Sequence, residues 1–550
     1  MIFSVLRAKL NCRIFVWVGL LFFVLAQTNA VYYTSENKKS RKKTDERIHL
    51  VHADNLTYDQ FTRPDAQCLS GKVEFLHGGL RMYCDSAVLL QAANSFEAFG
   101  HVKMIQGDTV TLVGEYLFYD GESQIAQVRR NVRMTHRGQV LLTDSLNYDR
   151  LYDVGYFFDG GKLIDGENTL TSDWGEYYTS TKKATFNYKV KLTNPKFTLT
   201  SDTLHYDMNT KWAEVEGPSN ILSGDNHIYT EHGFYNTQTQ KAELFDKTVL
   251  FNRGRKMTGD SLFYDKNAGI MKAFRNIVYE DKKNRNILTG HYCWYNELTG
   301  EALATDSALA KDYSSSDDTL FVHADTLRLY TYNMETDSMY RVMHGYFHVR
   351  AYRTDVQAVC DSLVFNSREK KMTLFRDPIV WSEGRQVLGE EINVYSNDST
   401  IDSIYVERQA LLVENLDSLH YNQIAGQFMK SYYEEGEMRE NEVVGNVYVV
   451  WFPLEKDSTI LYQNYTETSR LRMFMQDRKF RRLWSPSAEG YIYPVGLAPQ
   501  EQTRLEGFAW FDYIRPLDKY DLFEWRGKRG GTELKPSIRR EPPLQKIISE

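Results

Sequence analysis

An acidic side chain returns along most of this 550-residue sequence at a near-constant interval, and it is the residue type whose spacing best suits chemistry. It stands at Asp54, Glu115, Asp144, Asp173, Asp202, Asp260, Asp325 and Asp361, often followed by Ser or Thr. Carboxylates stacked at a regular rise would bind calcium. A carboxylate beside a hydroxyl would instead cap a bend by accepting hydrogen bonds from nearby backbone N–H groups. We prefer the structural role, because calcium-binding β-rolls use far shorter, Gly-rich repeats. No nucleophile elbow, phosphate loop or His-Glu metal motif accompanies the acids, and the thirteen histidines hold no repeat position. Cys68, Cys84, Cys293 and Cys360 have no close paired spacing, which argues against a metal site and leaves any disulfide unassigned. The expectation is a protein that is not an enzyme, with no cofactor and no metal.

The acids belong to a rung that must be positioned by strands. An aliphatic residue follows two places after the acid and usually an aromatic four places after, as in Leu199-Thr200-Ser201-Asp202-Thr203-Leu204-His205-Tyr206-Asp207. In the best-kept region the aromatic falls at Tyr119, Tyr148, Tyr177, Tyr206, Tyr235 and Tyr264, each 29 residues after the last. A period of this length means one supersecondary unit per repeat, which buries its apolar face only when neighbours stack on it. Within a repeat Val132, Met134, Val140, Leu142, Leu146 and Tyr148 all fall on even positions around a turn at His136-Arg137-Gly138, the period-two pattern of half-buried strands in a hairpin. Turn signals recur at His77-Gly78-Gly79, Gln106-Gly107-Asp108, Asp165-Gly166-Glu167 and Ser223-Gly224-Asp225. The phase slips between Leu112 and Leu117, which predicts a bulge or bend near Gly114. A bend beside every rung would let one long strand serve two sheets.

Stacked rungs place Leu117, Tyr119, Leu146, Tyr148, Leu204, Tyr206, Leu262 and Tyr264 in one continuous apolar strip. With strands ~4.8 Å apart, that strip would be on the order of 100 Å long. Gly175 and Gly233 interrupt the aliphatic position and predict room in the interior for something other than side chains.

Residues 1–30 read as a secretory signal: Arg7, Lys9 and Arg13, an apolar run from Ile14 to Ala26, then small residues before a cleavage site. The formal charge is −7, and a chain cleaved there would carry −10, which argues against nucleic acid as a partner. Residues 31–47 read as a basic flexible linker. Two repeat arrays are expected, over 48–310 and 319–425, separated at the Ser-rich stretch near Lys311 to Asp318 where the spacing loosens. Residues 426–525 read as a smaller C-terminal β-rich module, and 526–550 as a disordered tail.

The Asp/Glu-x-Leu-x-Tyr rungs, with intervening strands of the Gly71-Lys72-Val73-Glu74-Phe75 and Gly100-His101-Val102-Lys103-Met104 types behind a secretory signal, resemble the OstA/LptA-like (organic solvent tolerance-like) family over about 48–425. Its repeats occur in the periplasmic lipopolysaccharide-transport bridge protein and in the N-terminal domain of the outer-membrane lipopolysaccharide assembly protein. The resemblance implies an all-β, V-shaped β-jellyroll in the periplasm, possessing an apolar groove for the acyl chains of lipopolysaccharide. It also implies open sheet edges that join other OstA-like transport components by strand pairing. The eight strip residues would line that groove, and transport would be non-enzymatic. Two departures stand out: the array is about twice what a simple bridge needs, and the C-terminal residues are too few for the large assembly barrel. The competing reading is a secreted β-solenoid with a structural or adhesive role, a filled interior and no lipid. A polysaccharide-cleaving β-helix would need acids and bases clustered on neighbouring rungs, and the acids here are evenly dispersed.

Overall fold

The structure is a computed structural model that describes residues 47–313, 318–334, 336–397, 400–477 and 479–537. The expected signal, nearly all of the basic linker and the last part of the expected tail lie outside the described residues. Within them, 36 antiparallel strands form one hydrogen-bonded sheet.

That sheet is folded lengthwise into two layers, because most long strands break in the middle. The strand Ile125–His136 pairs with Gln139–Asp149 in two registers, and the register shifts between Arg129 and Val132. Arg130 and Asn131 there have φ of 64° and 50°. The same left-handed pair recurs one strand in two, at Gly71 and Lys72, Gly100 and His101, Tyr188 and Lys189, Asp246 and Lys247, and Arg275 and Asn276. One extra residue in such a strand bends it sharply. The bend expected near Gly114 is present, but the extra residue sits on the partner strand opposite Gly114 and Glu115.

The two halves then belong to different layers. Gly161–Asp165 pairs only with residues 140–143 of Gln139–Asp149, and Val154–Phe157 only with its residues 147–149. Rings from opposite layers meet in the middle: Phe75 stacks on Phe96 at 4.1 Å between centroids, and Phe197 meets Tyr235 at 4.8 Å. One apolar core runs from Leu69 to Met475. Each molecule-long layer thus buries its inner residues and exposes the alternate ones.

Neither predicted boundary interrupts this core. Leu309–Asp312 pairs with Leu320–His323, so strand pairing continues across the expected boundary. Tyr421–Glu434 runs across residue 426 and pairs on both sides along nearly its whole length. Past the last strand, residues 499–537 turn back and lie as an extended strap on the outer face of one layer. Leu505, Phe511, Ile514 and Leu522 are buried, the first three against Ile379, Trp381, Val413 and Val450 among others. Three glutamines grip the strap backbone from outward-facing strand positions. Gln386 donates to Ala509 O at 2.8 Å and accepts from Phe511 N at 2.8 Å. Gln423 does the same with Thr503 O and Leu505 N, and Gln463 donates to Gln502 O at 2.6 Å. The tail predicted to be disordered after Arg526 is held as far as Ser537, whose N–H donates to Glu390 at 2.7 Å. Burial opposes ionisation of Glu390, but the bonds from Ser537, Gln409 and Arg408 outweigh it and hold this carboxyl down to about 2.

The room predicted at Gly175 and Gly233 is taken. A Cβ at Gly175 would lie 2.6 Å from the Phe157 ring, and one at Gly233 would lie 2.9 Å from Glu243 O and 3.0 Å from Leu244. Glycine here admits a neighbour's side chain, not a guest. Gly175→Ala is therefore expected to destabilise by about 1–3 kcal/mol through overpacking. Phe157→Leu should recover part of that loss in a double-mutant cycle read by denaturant unfolding; strict additivity would contradict the contact.

Candidate functional site

The eight strip residues all point between the layers. Leu117, Leu146, Leu204 and Leu262 are 0% exposed, Tyr119 and Tyr148 0%, Tyr206 1% and Tyr264 7%. All belong to the single long core. The alternation that aims them inward is visible locally: in Phe197–Asp207, Leu199, Ser201, Leu204 and Tyr206 are buried while Thr198, Thr200 and His205 are less so. The switch of parity between Ser201 and Leu204 marks the bend.

The bends form one long side of the folded sheet, and the acids sit there. Asp85 lies 2.7 Å from His101, Asp173 2.9 Å from Lys189, and Glu231 2.9 Å from Lys247, each partner being the second residue of a left-handed pair. Asp144 accepts from the backbone N–H of Asn131 at 3.2 Å, and Asp260 from its counterpart's Asn276 side chain at 3.1 Å. The recurring carboxylate therefore caps the bend of the adjacent strand. Exposed pairs of this kind contribute little singly, so their value is in fixing where the sheet folds.

The opposite long side is the mouth, where hairpin turns from the two layers face each other. It is closed by polar bonds that the rung tyrosines share. His77 Nδ1 and Tyr119 Oη are 2.7 Å apart, and His136 Nδ1 and Tyr177 Oη 2.6 Å. Tyr206 Oη donates to Asp165 at 2.9 Å and accepts from Asn168 at 2.9 Å. Asn226 donates to Tyr264 Oη at 3.3 Å. Between them Gln106 donates to Asp153 at 3.2 Å and Asn168 to Thr237 at 3.1 Å. Burial pushes the Tyr119 phenol up to about 12 and raises Tyr206 and Tyr264 further, so these hydroxyls keep their protons. Burial also lowers the pKa of His136, leaving a neutral ring in the bond to Tyr177. At Tyr119, Tyr177, Tyr206 and Tyr264 the rung tyrosine thus has two parts: a ring in the core and a hydroxyl at the seal.

Sequence reasoning found the ring and missed the seal. The signal was present as a second register: His77, Gln106, His136, Asp165, Asn194, Ser223, Asn252 and Asp281 recur at 29 or 30 residues, one polar residue opening each turn. Read only as turn chemistry, they conceal that the side chains of His77, Gln106, His136, Asp165 and Ser223 bond across the mouth, while Asn194 and Asn252 bond within their own layer. The four described cysteines are free thiols, Cys68 exposed and the others buried.

Residues 45–202 and 197–260 match the family model of OstA-like protein. Among solved structures, the chain is similar to LptH, the LptA homologous periplasmic component of the conserved lipopolysaccharide transport device from Pseudomonas aeruginosa. The identity is 14%, the match covers 25% of this chain and 82% of that one, and the TM-score is 0.13. No curated protein matches the chain.

Proposed function

Because residues 45–202 and 197–260 match the family model of OstA-like protein, we propose that this chain is a non-enzymatic periplasmic bridge carrying lipopolysaccharide toward the outer membrane. The observation that supports this reading is the single connected apolar interior running from Leu69 to Met475. Acyl chains need such a path, and burying apolar surface along it supplies about 25 cal/mol for each Å² removed from water. In the closed form that space is filled by the strip residues, so loading requires the mouth to part while the capped bends act as the hinge. The ends suit assembly with other OstA-like components: His49–His52 and Asn55–Tyr58 each pair on one side only, as do Lys479–Trp484 and Glu489–Pro494. Unpaired edges are templates for a further strand.

The filled interior also suits a secreted structural solenoid without ligand. Mass spectrometry of lipid extracted from protein purified out of its own cell envelope separates the two. The transport reading expects an acylated glycolipid in near-stoichiometric amount, retained through gel filtration. Protein that is folded, exported and free of acyl chains would leave the solenoid.

A further inference from the structure

At the mouth, one cluster already looks like an occupied anion site. The Asp165 carboxylate is 6% exposed and receives the Lys211 ammonium at 2.5 Å and the Tyr206 hydroxyl at 2.9 Å. Lys211 and Tyr206 come from one layer and Asp165 from the other, so the carboxylate is held only while the mouth is shut. The same place in the layer carries two more half-buried cations. Arg150 donates across the mouth to His77 O at 3.0 Å and to Gly78 O, and Lys266 donates to Ser223 Oγ at 2.6 Å. The acceptors facing these two are neutral. From Arg150 to Lys211 and from Lys211 to Lys266 the array advances by four strands, about 19 Å each time. A cation and a phenol at the rim of an apolar interior offer an anion two charge-assisted donors while its hydrocarbon stays inside.

We propose that Lys211 with Tyr206, flanked by Arg150 and Lys266, is a headgroup site for an anionic amphiphile, and that Asp165 is its internal placeholder. This rests on the transport reading above. As acyl chains enter between the layers, the mouth parts, Asp165 withdraws with its own layer, and the phosphate or carboxylate of the headgroup takes its place. Selectivity for anionic over zwitterionic amphiphiles of the same chain length is then set at the mouth, and affinity for chains is set inside.

The test uses the full chain and two short-chain probes below their micelle concentrations, a phosphatidylglycerol and a phosphatidylcholine carrying identical acyl chains. Wild type should prefer the phosphatidylglycerol. K211Q combined with D165N, which removes both charges and so leaves no buried carboxylate unpaired, should lower phosphatidylglycerol binding about tenfold and leave phosphatidylcholine binding unchanged. D165N alone should raise phosphatidylglycerol binding several-fold. Inorganic phosphate alone should not compete, because without chains nothing opens the mouth; effective competition would make the cluster a free-phosphate site and overturn the proposal. Equal binding of both probes by wild type, or equal loss of both in D165N/K211Q with its unfolding transition intact, would also overturn it while leaving the transport reading standing. A wild type that binds neither probe would defeat both.

Discussion

Bridging the mouth with a short bifunctional thiol reagent is expected to reduce amphiphile loading to background. The pair for the bridge is Asn168→Cys with Thr237→Cys, whose side chains meet across the mouth at 3.1 Å. Among the described residues Cys68 is the exposed thiol and is replaced by Ser beforehand; Cys84, Cys293 and Cys360 are buried. The expectation follows from packing. Interiors at native density leave no space for an acyl chain, and the strip residues here are at most 7% exposed. Chains enter only if the layers separate, and a covalent bridge prevents that. The loss should exceed tenfold, and a cleavable reagent should restore loading on cleavage. A bridge on the other long side, between Asp260→Cys and Asn276→Cys, should leave loading intact, because the bends stay together when the mouth opens. Undiminished loading in the mouth-bridged protein would mean that the interior is not the path.

Removing Arg350 should release the strap. This guanidinium is 0% exposed, pairs with Asp521 at 3.0 Å and donates to Glu524 O. Asp521 keeps Arg526 and the Leu517 N–H, so what is lost is a buried charge-assisted bond together with the grip on Glu524 O, which costs about 1.5–3 kcal/mol. Arg350→Ala should therefore lower the unfolding midpoint and make residues 499–537 the first site of limited proteolysis. Cleavage there uncovers Ile379, Trp381, Val413 and Val450, so the nicked protein should self-associate. Arg350→Met tests the cause: it keeps the stem's packing, and strap release should persist because the pair with Asp521 is gone. A proteolysis pattern identical to wild type in both variants would mean that the three glutamine grips suffice.

How much of this was legible in the sequence depends on whether a contact lies within a repeat. The inward face of Leu146 and Tyr148 follows from local alternation, and the 29-residue period fixes that neighbours stack in register. The bend near Gly114 showed as a slip of phase, though the extra residue is on the partner strand, which alternation in one strand does not reveal. The loosened spacing between Lys311 and Asp318 suggested a boundary, yet the strands on either side, Leu309–Asp312 and Leu320–His323, pair with each other. Gly175 suggested a vacancy because its filler, Phe157, stands opposite it on the paired strand Val154–Phe157, which in sequence is separated from Trp174–Tyr178 by another hairpin. The strap was hidden more thoroughly. Gln386, Gln423 and Gln463 sit at outward positions where a polar residue needs no explanation, and the backbone groups they grip lie between 39 and 125 residues further on. At the mouth, the second polar register was as regular as the first, but only the folded sheet brings Asp165 to Lys211.

The central claim is that acyl chains occupy the space between the two layers, and photo-crosslinking in cells tests it most directly. A photoreactive amino acid is placed one position at a time at Leu146, Tyr148, Leu204 and Tyr206, with Asn147 and His205 as outward controls. The account predicts lipopolysaccharide adducts at the four inward positions and none at the two controls. A folded, exported protein that gives no adduct at any inward position, or gives adducts equally at the controls, would contradict it.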